Sequence, residues 1–168
     1  MKQSILYISY DGMLEPLGQS QVLAYLKHLA KEYHIHLISF EKIDDWKKTK
    51  ERQQLRKDII EADIFWHPLR YHKKPSALAT AWDISIGFLL GLVLVLRYKI
   101  KIVHARSYVS SVIALAIKRI TGIAFLFDMR GFWADERVDG GLWDLKNPVY
   151  KSIFNFFKKK EKEFLYLL

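Results

Sequence analysis

FLFDMRGFWADERVDGG, residues 125–141, changes character abruptly along its length. It sits at the end of an apolar run, Ile123-Ala124-Phe125-Leu126-Phe127. A short apolar run closed by a break reads as a strand buried on both faces. Asp128, Arg130, Asp135, Glu136, Arg137 and Asp139 then follow, interleaved with Phe132 and Trp133. In open α/β sheets ligands bind in the crevice outside the carboxyl ends of the strands. A strand that ends in Asp-x-Arg-Gly delivers a carboxylate, a guanidinium and a flexible turn to that crevice. Exposed charges often only neutralise one another. Here the interleaved aromatics, and Gly131, Gly140 and Gly141 with their tolerance of close backbone approach, favour a ligand.

The residues on the N-terminal side supply the rest of a sheet. Residues 5–10, ILYISY, form a first strand rich in β-branched and aromatic side chains. A loop, DGMLEPLG at 11–18, leads to a helix over 19–32 with Val22, Leu23, Leu26, Leu29 and Ala30 on one stripe. Strand, glycine loop and helix together can present backbone N–H groups to a phosphate. The spacing is neither the three-glycine dinucleotide fingerprint nor a P-loop. HIHLISF (34–40) is a second strand, whose His-x-His pair lacks a third ligand nearby. Residues 42–62 are charged and helical. DIFWHPL (63–69) is a third strand, closed by Pro68 and followed by a basic loop, RYHKKP (70–75), placed to meet a phosphate.

Residues 84–96, ISIGFLLGLVLVL, carry no charge. A bilayer span needs about 20 apolar residues, so this run predicts a buried or interfacial helix bounded by Asp83 and Arg97. IKIVHA (100–105) is a fourth strand that brings His104 and Arg106 level with Asp128 and Arg130. Ser107 is placed to cap a helix over 107–121, and Gly122 to end it. A last helix, 147–168, has Pro148 in its first turn and a lysine-rich face. Five strands alternating with helices predict a doubly wound, Rossmann-like parallel sheet with helices on both faces, in a single domain.

Composition sets the frame. With 168 residues, 51% of them hydrophobic, the chain can bury a core. It has no cysteine, which excludes disulfides and thiolate metal sites and suits a reducing, cytoplasmic setting. MKQSILYISY does not read as a secretory signal. The net charge of +9 favours anionic partners. No nucleic-acid-binding module is visible, so an anionic membrane surface is the expected partner of the basic clusters at 42–74 and 151–162.

Five ordered segments then carry a resemblance: ILYISYDGMLEPLGQSQVLAYLKHLA, HIHLISFEK, FWHPLRYHKKP, IVHARSYV and FLFDMRGFWADERVDGGLW. Together they resemble the N-terminal, acceptor-side domain of family 4-type glycosyltransferases of the two-domain GT-B fold, most specifically at PLGQSQVL and DMRGFWADERVDGG. The resemblance implies a retaining sugar transfer from a nucleotide-sugar donor to a glycan or lipid-linked acceptor, in polysaccharide or glycolipid assembly, with no metal and no other cofactor. It implies that Leu17, Gly18 and Gln19 contact the donor diphosphate. His104, Arg106, Arg130, Asp135, Glu136 and Arg137 would line the acceptor cleft. Asp128 stands where many relatives place a histidine beside the transferred sugar. A carboxylate there can accept a hydrogen bond from a sugar hydroxyl but cannot act as a cationic imidazole. The donor-binding domain, with its paired glutamates, is not in these residues. The chain is therefore expected to be inactive alone and to need that domain or a separate partner. The competing reading is a non-catalytic Rossmann-like module that binds a partner protein or a polyanion.

Overall fold

The computed structural model describes residues 2–74 and 76–166, with the side chain of Ser76 left aside. It contains a five-stranded, all-parallel sheet in the order β3-β2-β1-β4-β5. The strands are β1 (Gln3–Ser9), β2 (Tyr33–Glu41), β3 (Ile64–Arg70), β4 (Ile102–Arg106) and β5 (Ala124–Asp128). The order reverses between β1 and β4, which is the doubly wound, Rossmann-like arrangement expected.

Alternation along the strands sorts side chains to two faces. On the first face Ile5, Tyr7, Ile35, Leu37 and Ile64 pack under Val22, Leu23 and Leu26 of the first helical segment, and under Leu55 and Ile59. That segment is a π-helical stretch, Gly18–Leu23, running into α1 (Ala24–Leu29). Leu55 and Ile59 belong to α3 (Thr49–Glu61). The expected single helix over 42–62 is in fact two, because the chain breaks after α2 (Ile43–Trp46).

On the second face Leu6, Ile8, Ile38, Phe40, Val103, Ala105, Phe125 and Phe127 are covered by three helices. These are α4 (Ser76–Tyr98), α5 (Ser107–Thr121) and α7 (Pro148–Tyr166). α4 and α5 meet closely through glycine. A Cβ on Gly87 would come within 2.8 Å of Ile113 Cδ1, and one on Gly91 within 2.6 Å of Ile117 Cδ1. The two isoleucines lie four apart and so share one face of α5. α5 ends, as expected, at Gly122 in the left-handed conformation, φ 73°.

The structure corrects four further expectations. β5 is not buried on both faces: it is the sheet edge, and Ala124 and Leu126 are exposed on the first face, where no helix among the described residues covers them. Pro68 lies inside β3 rather than closing it, which an edge strand permits because its missing N–H need not serve a neighbour. Ser107 does not cap α5. Arg106 holds the capping position without a side-chain bond, and Ser107 is the first residue of α5, at a left-handed φ of 66°. Finally, Ala77–Tyr98 is long and apolar enough to cross a membrane by length and composition. Counting from Asp83 underestimated it: that carboxylate is buried and hydrogen-bonded, so it does not interrupt the apolar surface.

Candidate functional site at the carboxyl ends of the strands

Parallel pairing puts the last residues of three neighbouring strands in register. Ser9 of β1 sits beside Arg106 of β4, and Arg106 beside Asp128 of β5. Arg106 is buried, and its guanidinium is shared. Nε donates to Asp11 Oδ2 at 3.3 Å, one NH2 group donates to Gln21 Oε1 at 2.6 Å, and NH1 lies 3.9 Å from Asp128 Oδ2. Arg130 reaches back to the same groups, donating to Gln21 Oε1 at 2.9 Å and to Asp128 Oδ1 at 3.5 Å. Asp128 thus stands between two guanidiniums. His104 Nε2 is 3.9 Å from Asp128 Oδ2, the oxygen that Arg106 also faces.

His104 packs on Tyr7 at 4.5 Å and on Tyr25 at 5.8 Å between ring centroids. Burial, helped by the Arg106 charge and opposed by Asp128, lowers its pKa below the ordinary histidine value. The neutral imidazole is therefore favoured at pH 7. Burial chiefly, and then Asp128, raise the Tyr7 hydroxyl, which stays protonated. These side chains line an open hollow of about 440 Å³ with Leu126 as part of its floor. It lies on the uncovered portion of the first face.

A second hollow, about 270 Å³, opens at the point where the strand order reverses. Tyr10, Asp11, Glu15, Lys42, Tyr71, Thr80, Ser107, Trp133, Arg137 and Trp143 form its walls. Trp133 and Trp143 meet edge to face at 5.3 Å, and the Arg137 guanidinium lies 5.1 Å from the Trp133 ring centre. Asp11 connects the two hollows, since it lines the second while accepting from Arg106 of the first.

Buried carboxylates hold the loops that shape this end. Glu41, at the end of β2, accepts from Met13 N–H at 2.8 Å, from Leu14 N–H at 3.3 Å and from Ser39 Oγ at 2.6 Å. It fixes the loop after β1, although burial raises its pKa against those bonds. Asp83 of α4 accepts from the Tyr10 hydroxyl at 2.9 Å, from His72 N–H at 3.0 Å, and from His72 Nδ1 at 2.6 Å. The basic loop expected to meet a phosphate is thereby tied down: Tyr71 lines the second hollow, His72 is engaged with Asp83, and Lys73 and Lys74 face solvent.

The sequence-predicted residues divide into groups. Asp128, His104, Arg106 and Arg130 converge in the first hollow. Gly18 is buried, and a Cβ there would overlap the Gly12 carbonyl oxygen and lie 2.9 Å from Met13 Cα, so close backbone packing requires the glycine. The helix starts ahead of it, at Pro16, and Gln19 N–H donates to Glu15 O at 3.1 Å. Leu17 and Gln19 expose their side chains. Asp135, Glu136 and Arg137 sit on a helix that the sequence reading did not foresee, α6 (Trp133–Asp139). Of the three, Arg137 lines the second hollow. Asp135 accepts from Lys158 Nζ at 2.9 Å on α7, and Glu136 fills the space beside Gly131.

Sequence reasoning missed Asp11, Gln21, Tyr25 and Trp143. Gln21 and Tyr25 lie four apart within PLGQSQVLAY, on a side of the helix that the apolar stripe left unassigned. π-helical turns are rare and recur at functional sites, and this one places Gln21 where both arginines reach it.

No family model matches the chain, and no curated protein sequence matches it. Among solved structures, a glycosyltransferase from Rickettsia africae ESF-5 is similar, with a TM-score of 0.45 and 22% identity over 75% of this chain. The chain spans 29% of that protein's length.

Proposed function

We propose that this chain forms one wall of a sugar-transferring active site. One observation carries the reading: Asp128, Arg106, Arg130, Gln21 and His104 converge in an open hollow at the ends of adjacent strands. The hollow alternates hydrogen-bond acceptors with charged donors, as a polyhydroxylated, anionic ligand requires. Guanidiniums match phosphate oxygens, and the carboxylate accepts from sugar hydroxyls. The tryptophan-walled second hollow supplies flat apolar surface for a sugar ring, with Arg137 and Asp11 at its edge. The ordered sequence resemblance supports the same assignment independently of this geometry.

In this reading a second Rossmann-like domain, here or on another chain, supplies most contacts to a nucleotide sugar. Leu17, Gly18 and Gln19 approach its diphosphate. Asp128 orients the transferred sugar, while Arg106 and Arg130 hold the carboxylate and offset phosphate charge that develops on the leaving group. The reaction is a retaining transfer to a glycan or lipid-linked acceptor, and it awaits domain closure.

The test is a transfer assay with UDP- and GDP-sugars, with and without the separately expressed donor domain of a two-domain glycosyltransferase. Transfer only in the mixture, reduced about 100-fold or more by Asp128→Asn, is the expected result. Transfer by the chain alone would contradict the division of labour. No transfer and no sugar-nucleotide binding in a folded mixture would favour a non-catalytic module.

A further inference from the structure

α4 builds the core with one face and shows solvent a second apolar face. Leu78, Trp82, Leu89, Val93 and Leu96 are 56 to 73% exposed. They recur three to seven residues apart and form one stripe about 27 Å long from Leu78 to Leu96 at 1.5 Å per residue. The polar side chain within the stripe, Ser85, donates its hydroxyl to Ala81 O at 2.8 Å, so it asks nothing of the surroundings. The acid of this helix, Asp83, points inward and is satisfied. Cations bracket the stripe: Lys73 and Lys74 before it, Arg97, Lys99 and Lys101 after it, all exposed.

We propose that this face docks α4 in the plane of an anionic phospholipid bilayer. The pattern meets the two demands of such a site: a charge-free apolar stripe to enter the acyl boundary, and cations at its ends for headgroup phosphates. Trp82 on the stripe and Tyr98 at its end suit the interface, where an apolar ring with a polar edge is at home. The helix lies on the membrane rather than across it. Its inner face is locked into the domain by Gly87 and Gly91 against Ile113 and Ile117, and by buried Leu94 and Val95. Withdrawing it to span would open the core. The inference stands on this surface alone and does not depend on the sugar-transfer reading.

The experiment is co-sedimentation of the full chain with vesicles of phosphatidylcholine alone, and of phosphatidylcholine with phosphatidylglycerol. Binding to the anionic vesicles about tenfold or more tighter than to the neutral ones, weakening as salt rises, is expected. The double variant Leu89→Glu/Val93→Glu alters only exposed side chains, so it should keep the wild-type circular dichroism and Tm yet lose most vesicle binding. Lys99→Glu/Lys101→Glu should lower the anionic-vesicle affinity and flatten its salt dependence. Absence of vesicle binding, or binding untouched by Leu89→Glu/Val93→Glu, overturns the proposal. So does a concentration-dependent dimer abolished by that variant, which would assign the face to a second copy of the chain. Vesicle binding by a chain that, mixed with the donor domain, shows neither transfer nor sugar-nucleotide binding would leave this inference standing and sink the functional one.

Discussion

The two faces of the sheet carry opposite solutions to the same pleat. The second face is sealed by α4, α5 and α7 over β2, β1, β4 and β5, with Phe65 at the β3 edge left 45% exposed; phenylalanines of β5 and α7 pack ring to ring there, Phe127 and Phe164 lying 5.0 Å apart. The first face is sealed only over β3, β2 and β1. At β4 and β5 it ends in His104, Arg106, Leu126 and Asp128, which with Tyr7 of β1 line a hollow open to solvent. The same strands therefore hold the fold together with one set of side chains and present the candidate chemistry with the alternate set. Where the helical layer stops, polar side chains are affordable and a ligand has room.

The sharpest way to break this comparison uses neighbours on one strand. Phe125 is 6% exposed on the sealed face, and Leu126 is 43% exposed on the open one. Phe125→Ala should destabilise the chain by about 3–5 kcal/mol. Leu126→Ala should cost less than about 1 kcal/mol, since little packing is lost there. Denaturant unfolding measures both, and equal effects would mean that the open face is covered in solution.

The loop carboxylate comes next. Glu41→Gln replaces an acceptor of several donors by an amide whose NH2 confronts Met13 or Leu14 N–H. A loss of about 2 kcal/mol is expected, with faster amide exchange at Met13 and Leu14. Gly18→Ala, which pushes a Cβ against the Gly12 backbone, should cost about 1–3 kcal/mol by overpacking. Unchanged stability in both would show that the glycine loop is not held as described.

The smallest effect is a pH dependence. His36 is lowered from the ordinary histidine value of 6.5 to about 4, first by burial and then by His67 and His34. Burial lowers His67 and His104 as well. The fold favours these neutral rings, whereas the unfolded chain takes up protons near 6.5. Stability is therefore complete above about pH 6.5 and falls as pH drops toward about 4. Tm measured across this window should decline, and His36→Phe, at a position where the ring stacks on Phe65 and packs tilted against Tyr98, should flatten the decline. A Tm that rises on acidification would reverse the sign.

Much of the scaffold could be read from the sequence because apolar runs and punctuating glycines state it locally. The strand runs, the stop at Gly122 and the start at Pro148 are of this kind. The open side of β5 could not be read: Ala124 and Leu126 look as buried as Phe125 and Phe127 until the sheet order shows that no helix reaches them. The convergence of His104, Arg106, Asp128 and Arg130 was visible because parallel strands align their ends. Asp11, Gln21 and Tyr25 were not, since their role arises from a widened helical turn and a long-range contact to Arg106. Trp143 was hidden likewise, because α6 had to fold before it could meet Trp133.

The most direct measurement is the amide NMR spectrum of the labelled chain, titrated with a UDP- or GDP-sugar in the presence of an unlabelled donor domain. The account predicts shift changes confined to Leu17–Gln21, Tyr25, His104–Arg106 and Asp128–Arg130, and their loss in Asp128→Asn. A donor domain saturated with ligand, with no change at those amides or with changes centred on the β2–β3 edge, would contradict it.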